Sequence, residues 1–447
     1  MKLLVIGSGA REHALAWAAG RHRPAAPERP VRTLRGHEIF CAPGNAGTAG
    51  VARNLAVDPS DRKAVVAACR ELGIDLVVIG PEGPLAAGLA DALRDSGIPA
   101  FGPGAAAARL EACKAEARAF AERHHIPCAA TSCFAAGSGL SGFHAFLDAR
   151  RGQRLVLKKS GLTAGKRVLE SNDPAELAAF GDAVLSSDGL LAEEFLAGRE
   201  LSVFTLCSEK GWRLLEPAAA CKKALAKDRG PITGGMGAVS PLPFADAALM
   251  SVIGKDIVEP TFEGMAAEGL SYRGALFFGM IVTAEGPRLL DYNVRFGDPE
   301  AQSLLPRLQG DFAEFCADVA AGRLPAPVFG PSCACGVVVA APGYPIAHPR
   351  GLPVDLADLP ASVALGRPEV ELDSAPAEPG FQALLFQAAT GRDGEGGLRT
   401  GGGRCFTAVG LGPDWRSARD RAYKLANLVR FEGAWYRPDI GEKIYGT

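Results

Sequence analysis

Asp291, Asn293 and Arg295 stand at alternate positions of the run RLLDYNVRFGDPE. Alternate side chains of a strand share a face. The spacing therefore predicts two hard-oxygen groups and a guanidinium side by side, followed by a glycine turn. Oxygens of this kind suit Mg²⁺ held jointly with phosphates, and Arg295 adds a fork for phosphate or carboxylate. An Asp on a strand can also be a plain solvated edge residue. Three functional groups on one face argue for the metal reading.

A second candidate is LVLKKSGLTAGKRVLES, residues 155 to 171. It approaches the spacing of a P-loop but is one residue short, and Arg167 stands where a Mg²⁺-binding Ser or Thr belongs. A P-loop runs from strand into helix, whereas RVLES reads as a second strand. The segment is thus a hairpin with a glycine-rich tip that can fold over a triphosphate and donate backbone N–H groups. Gly161, Gly165 and Lys166 form that tip, and Lys158 on the strand reaches toward the α- and β-phosphates. A third stretch, LLAEEFLAGRELSVF, is a strand running into a turn at Gly198. Its backbone can serve an adenine and Glu200 the ribose hydroxyls, although the same pattern fits an edge strand with a charged turn.

These residues need a frame. The first hundred positions alternate strand and helix signals, from KLLVIGSG and REHALAWAAG through HEIFCAPGNAG to DLVVIGPEGPL. Such alternation implies a parallel sheet covered on both faces, with ligands beyond the carboxyl ends of its strands. The loops Gly7–Gly9, Pro43–Gly47 and Gly80–Glu82 fall there. Residues 107 to 125 read as one long amphipathic helix ended by Pro127, with His124 and His125 at its end. Strand, loop, strand, helix and strand follow to residue 204. The stretch AAGRLPAPVFGPS marks a boundary, and antiparallel strand signals with one late helix follow it.

Bulk properties exclude several classes. The 447 residues carry a formal net charge of -2, with 48% hydrophobic and 22% charged residues. That balance is ordinary for a soluble globular protein and gives no general argument for nucleic acid. No apolar run approaches the ~18 residues of a membrane helix, and the opening residues do not form a secretory signal. The 11 cysteines are scattered, which reads as buried thiols in a reducing cytoplasm.

Together the residues resemble the ATP-grasp ligases, and more narrowly the phosphoribosylamine–glycine ligase family. The resemblance rests on VIGSGAREHALAW, APGNAGT, VVIGPEGPLAAG, LEACKAEARAF, TGGMGAVSP, NVRFGDPEAQ and GVVVAAPGYP. These pieces stand in the family's order along nearly the whole chain. The resemblance implies an α/β fold, α+β in parts. Residues 1–105 would form a doubly wound N-terminal domain, and 106–126 with 191–330 the ATP-grasp core. Residues 127–190 would form an inserted lid, and 331–447 a C-terminal antiparallel-sheet domain. It implies ATP, with Mg²⁺ or Mn²⁺, as the cofactor set, and glycine and 5-phosphoribosylamine as substrates of a monomeric enzyme. Lys114, Lys158, Glu193, Phe195, Leu196 and Glu200 would surround ATP. Asp291 and Asn293 would hold the metal. Gly9, Asn45, Glu82, Gly235, Arg295 and Asp298 would line the other substrates, with Arg295 and Lys158 taking part in catalysis.

Several positions depart from the family pattern. Arg167 stands for a Gly, Ala220 and Cys221 for Asp and His, Ile232 for Asn, Asp291 for Glu and Pro342 for Gly. The changes from Ala220 to Ile232 keep open a ligase joining another acid or amine, or a catalytically weakened homologue. The third position of G-x-G-x-x-G is Glu12 rather than Gly. A sugar monophosphate therefore fits the first turn better than a dinucleotide.

Overall fold

The computed structural model describes residues 1–21, 36–162, 168–372 and 382–446. Gly165, Lys166 and Arg167 lie outside the described residues. The chain opens with strand β1 (Lys2–Gly7), helix α1 (Ala10–Ala19), strands β2 (Glu38–Pro43) and β3 (Arg53–Asn54) and helix α2 (Arg62–Leu72). Strand β4 (Leu76–Ile79), helices α3 (Glu82–Ala86) and α4 (Leu89–Asp95) and strand β5 (Ala100–Phe101) complete the first unit. The five strands lie in the order β3-β2-β1-β4-β5, all parallel. Strands β1 and β4 are almost wholly buried, as apolar runs covered on both faces must be. The connections leave in opposite directions on either side of β1 and β4, so a crevice opens at their carboxyl ends.

The expected single helix over 107–125 is two: α5 (Ala105–Ala112) and α6 (Lys114–Arg123). Between them Cys113 is extended, at φ -136° and ψ 101°. Cys113 makes an antiparallel bridge with Gly161, and the Lys114 N–H donates to the Ser160 carbonyl at 3.0 Å. Tertiary pairing with the lid thus overrides a continuous amphipathic pattern.

The lid sheet contains β6 (Thr131–Phe134), β7 (Leu155–Lys159), β8 (Val168–Ser171) and β9 (Leu190–Glu194), in the order β6-β9-β7-β8. Helices α7 (Ser141–Ala149) and α8 (Pro174–Leu185) close over its own small core around Phe143, Leu157 and Leu177. Strands β7 and β8 pair antiparallel from Lys158 and Val168 outward, so the segment is a hairpin. Strand β9 carries this sheet four residues past the expected limit at 190.

The core sheet has the order β11-β10-β16-β17 and is antiparallel. Its strands are β10 (Arg199–Ser208), β11 (Gly211–Leu214), β16 (Gly274–Thr283) and β17 (Gly286–Asn293). Between them lie β12 (Ala219–Ala220), the hairpin β13 (Lys223–Leu225) and β14 (Arg229–Ile232), and β15 (Gly237–Ser240). Strands β12 and β15 do not join the core sheet. They extend the antiparallel C-terminal sheet through Cys333–Ala340, Arg404–Gly412, Ala383–Gln387 and Glu369–Val370. The core and the C-terminal unit are therefore stitched by backbone hydrogen bonds, which a boundary drawn at 330 does not convey.

Candidate active site

Strand β17 carries the metal candidates. Its buried positions run Pro287, Leu289, then Tyr292, because the register with β16 slips between Gly279 and Met280. Leu290 is the extra residue of this β-bulge, a device that re-aims side chains. Its free carbonyl accepts from Arg118 at 2.7 Å and from Lys158 at 3.2 Å. Past the bulge, Asp291 and Asn293 share a face, with the Asn293 amide 3.2 Å from Asp291 Oδ1. Burial opposes ionisation of Asp291. Lys222, Lys158 and Lys114 outweigh it and hold the carboxyl below its ordinary range.

A second set of charges lies beside it. Lys158 sits 2.8 Å from Glu193 Oε2, and Arg118 donates to Glu193 Oε1 at 2.9 Å. Burial would raise Glu193, but Lys158 and Arg118 pull it below the ordinary value. Arg118 also donates to the Leu289 carbonyl at 3.2 Å. Burial lowers Lys114, partly offset by Asp291. Lys222 pairs with Glu200 at 3.2 Å. Three lysines thus surround a short acidic strand edge, an electrostatic setting that holds a polyphosphate bearing a divalent cation.

At the other end Arg295 lies 2.6 Å from Glu111 and 3.4 Å from Glu82. Asp298 pairs with Arg404 at 2.9 Å. Arg404 reaches in from the C-terminal sheet and also donates to the Gly234 carbonyl at 2.7 Å. One cleft of about 370 Å³ runs from the lysines to this end. It brings together Lys114, Lys158, Glu193, Asp291, Asn293, Glu82, Arg295 and Asp298, residues spaced over nearly half the chain.

Other expected site residues lie elsewhere. Gly9 caps α1, and its N–H is already taken by Glu12 Oε2 at 2.6 Å. The Asn45 carboxamide is committed to backbone. It donates to the Ser8, Gln387 and Ala388 carbonyls at 2.8, 2.9 and 3.0 Å, and accepts from Gly47 and Thr48 N–H. Asn45 therefore joins the first unit to the C-terminal one rather than facing the cleft. Phe195 and Leu196 sit in the link after β9, and the Phe195 ring carries the Arg154 guanidinium at 4.1 Å. Glu200 reaches the cleft only through Lys222. Gly161 forms the bridge to Cys113. Gly235, at φ 109°, packs against Pro299, where a side chain would clash at 2.4 Å.

Sequence reasoning missed Arg11, Glu111, Arg118, Lys222, Glu300 and Arg404, all of which line the cleft. A signal existed for two of them. Glu111, Lys114 and Arg118 follow at i, i+3 and i+7, so charge lies along one face of the helical stretch. Nothing local marks Arg404, which arrives from a separate sheet.

No group of three or more His, Cys, Asp or Glu able to hold a metal occurs among the described residues. That donor set still fits a hard cation shared with phosphates, which needs only one or two protein oxygens. An amide flip of Asn293 would turn its oxygen toward the same point as Asp291, since O and N of a carboxamide are interchangeable in position.

Models of phosphoribosylglycinamide synthetase match the chain in three pieces. The N domain matches residues 1–111, the ATP-grasp (A) domain 112–301 and the C domain 334–443. The chain is 39% identical to the phosphoribosylamine–glycine ligase of Phenylobacterium zucineum and 38% identical to that of Streptomyces coelicolor, with all of each chain covered. The crystal structure of the Thermotoga maritima phosphoribosylamine–glycine ligase is similar at 28% identity and a TM-score of 0.78, covering 98% of this chain and 100% of that one. A Hydrogenobacter thermophilus biotin carboxylase domain, solved with MgADP and bicarbonate, shares the fold at 16% identity and a TM-score of 0.66, covering 97% of this chain and 91% of that one.

Proposed function

The chain belongs to the phosphoribosylglycinamide synthetase family, and from that premise we propose that it joins glycine to 5-phosphoribosylamine in purine biosynthesis, with ATP converted to ADP and phosphate. The observation that carries this is the single cleft in which lysines, the Asp291–Asn293 edge and Arg295 converge. The glycine carboxylate attacks the γ-phosphoryl group and ADP leaves; the ribosyl amine then attacks the carbonyl of the glycyl phosphate so formed and displaces phosphate, giving the amide. No protein nucleophile is required. Positioning and charge neutralisation supply the catalysis.

Lys114 and Lys158 neutralise the phosphates, and Glu193 holds Lys158 in place. Asp291 and Asn293 would hold Mg²⁺ or Mn²⁺, which would supply positive charge against the phosphates. Arg295 takes the anionic end of a substrate. Glu82 and Asp298 face the amine substrate. Gly9 and Asn45 act behind it, as the frame of the first turn. Leu162 and Val168, at the root of the lid hairpin, line the cleft and help exclude water, which matters because acyl phosphates hydrolyse. Phe195, Leu196 and Glu200 lie toward the adenosine. The enzyme works as a cytoplasmic monomer. No helix among the described residues is long and apolar enough to cross a membrane.

A second reading, a ligase for another acid or amine, is favoured by Ala220 and Ile232, which line the same cleft with apolar groups. A coupled assay of ADP release separates the two. Release that requires glycine and phosphoribosylamine together supports the family reaction. Release with a different pair from a panel of acids and amines, and none with these two, sinks it.

A further inference from the structure

The end of β17 leaves its sheet just where the chemistry begins. Asn293 is the last residue paired with β16, opposite Phe277. The next N–H, on Val294, therefore lacks a ladder partner and must be satisfied otherwise, because the residue is 1% exposed. Glu111, in the last turn of α5, supplies the acceptor. Its Oε2 accepts the Val294 N–H at 2.7 Å, and its Oε1 accepts from the Arg295 guanidinium at 2.6 Å. One carboxylate thus grips the two residues that follow Asn293.

The other half of the grip comes from the next helix. Arg118 of α6 holds the Leu289 and Leu290 carbonyls at 3.2 and 2.7 Å. The break at Cys113 separates α5 from α6, and both helices pack on β17. The segment from Leu290 to Arg295 is therefore clamped at both ends by a helix pair. Arg295 has a second carboxylate, Glu82, but at 3.4 Å and from a different unit of the chain. The shorter contact, made together with the backbone bond, decides where the guanidinium points. We infer that Glu111 is a positioning residue: its carboxylate fixes the exit of β17 and so aims both Asn293 and Arg295 into the cleft.

This rests on the reading of the cleft as the ligase site, and the test keeps the two apart. The full-length protein and Glu111→Gln are compared by calorimetry for ATP binding without metal, by Mn²⁺ titration in the presence of ADP followed by electron paramagnetic resonance, and by steady-state kinetics. Glutamine keeps the shape and the acceptor for Val294 but loses the charge on Arg295. Metal-free ATP affinity is expected to stay within about two-fold, since Lys158 and Glu193 are untouched. Mn²⁺ binding is expected to weaken about ten-fold, KM for glycine to rise about ten-fold and kcat to fall ten-fold or more. Glu111→Asp, which keeps the charge but withdraws it by one methylene, shows the same split more mildly and serves if the Gln variant does not fold. Metal affinity and glycine KM both within two-fold of wild type, or an equal loss of metal-free ATP binding, overturns the inference. A wild-type chain without glycine-dependent ADP release defeats the functional reading instead, and the Mn²⁺ titration still decides the positioning role.

Discussion

Asp291 is the residue on which the chemistry turns. It is an acid placed among three lysines, and its burial is compensated by their charge. Truncating it removes the anionic ligand and leaves Lys114, Lys158 and Lys222 facing one another. Asp291→Ala is expected to lower kcat by about 10²–10³-fold, the loss typical of one electrostatic contact at a developing charge. Binding of metal-free ATP, read by calorimetry, is expected to hold or strengthen, because the lysines lose their competing anion. A variant with wild-type turnover would remove Asp291 from the mechanism. The pairing of Asp291 with Asn293 and Arg295 was legible from alternate spacing alone. The bulge at Leu290 was not, since a slip of one residue leaves no mark in composition.

The lid is the element with its own core, and its ties to the rest are few and polar. Lys223 of β13 reaches Glu170 of β8 at 3.1 Å. The Cys113–Gly161 bridge holds the root of the hairpin against α6. An ion pair at the edge of solvent, such as Lys223 with Glu170, contributes roughly 1 kcal/mol or less. Lys223→Ala is therefore expected to leave global stability nearly unchanged while amides of β7 and β8 exchange faster. Hydrogen–deuterium exchange by mass spectrometry checks this, and unchanged protection across 155–171 would show that the pair does not restrain the lid. The hairpin itself could be read from the glycines and the two flanking strand patterns. The break of the helix at Cys113 could not, because the residues around it favour helix and only the partner strand pulls it out.

At the scale of the molecule, the first and last units are joined through buried polar groups. His13 is fully buried; its Nε2 meets the Gly366 carbonyl at 2.9 Å and its Nδ1 accepts the Gln387 N–H at 3.0 Å. Burial pushes its pKa down to about 4, against hydrogen bonds that raise it, from an ordinary value of 6.5. The folded chain keeps His13 neutral where the unfolded chain binds a proton, so stability falls as pH drops from about 6.5 toward 4. The contribution is about 3 kcal/mol, taking 1.36 kcal/mol per unit of pKa. Urea unfolding of the wild type is expected to lose this much over that window, and His13→Gln to lack that component. Equal pH slopes in the two proteins would refute it. The motif around His13 and Asn45 is thus a joint between distant parts of the chain. Its sequence specificity alone could not distinguish a joint from a substrate contact.

Taken alone, the order of residues determined the parallel first sheet, the lid hairpin, the strand with its Asp-x-Asn-x-Arg face and the family to which these belong. Each follows from local periodicity or from turn chemistry within a few residues. Which charges meet was decided only by the tertiary structure. Glu111, Arg118 and Arg404 reach the cleft from two helices and a separate sheet, while Asn45 and Gly9 turn to other partners. Ion pairs over such separations depend on how packed elements are oriented, and no short window of sequence contains that orientation.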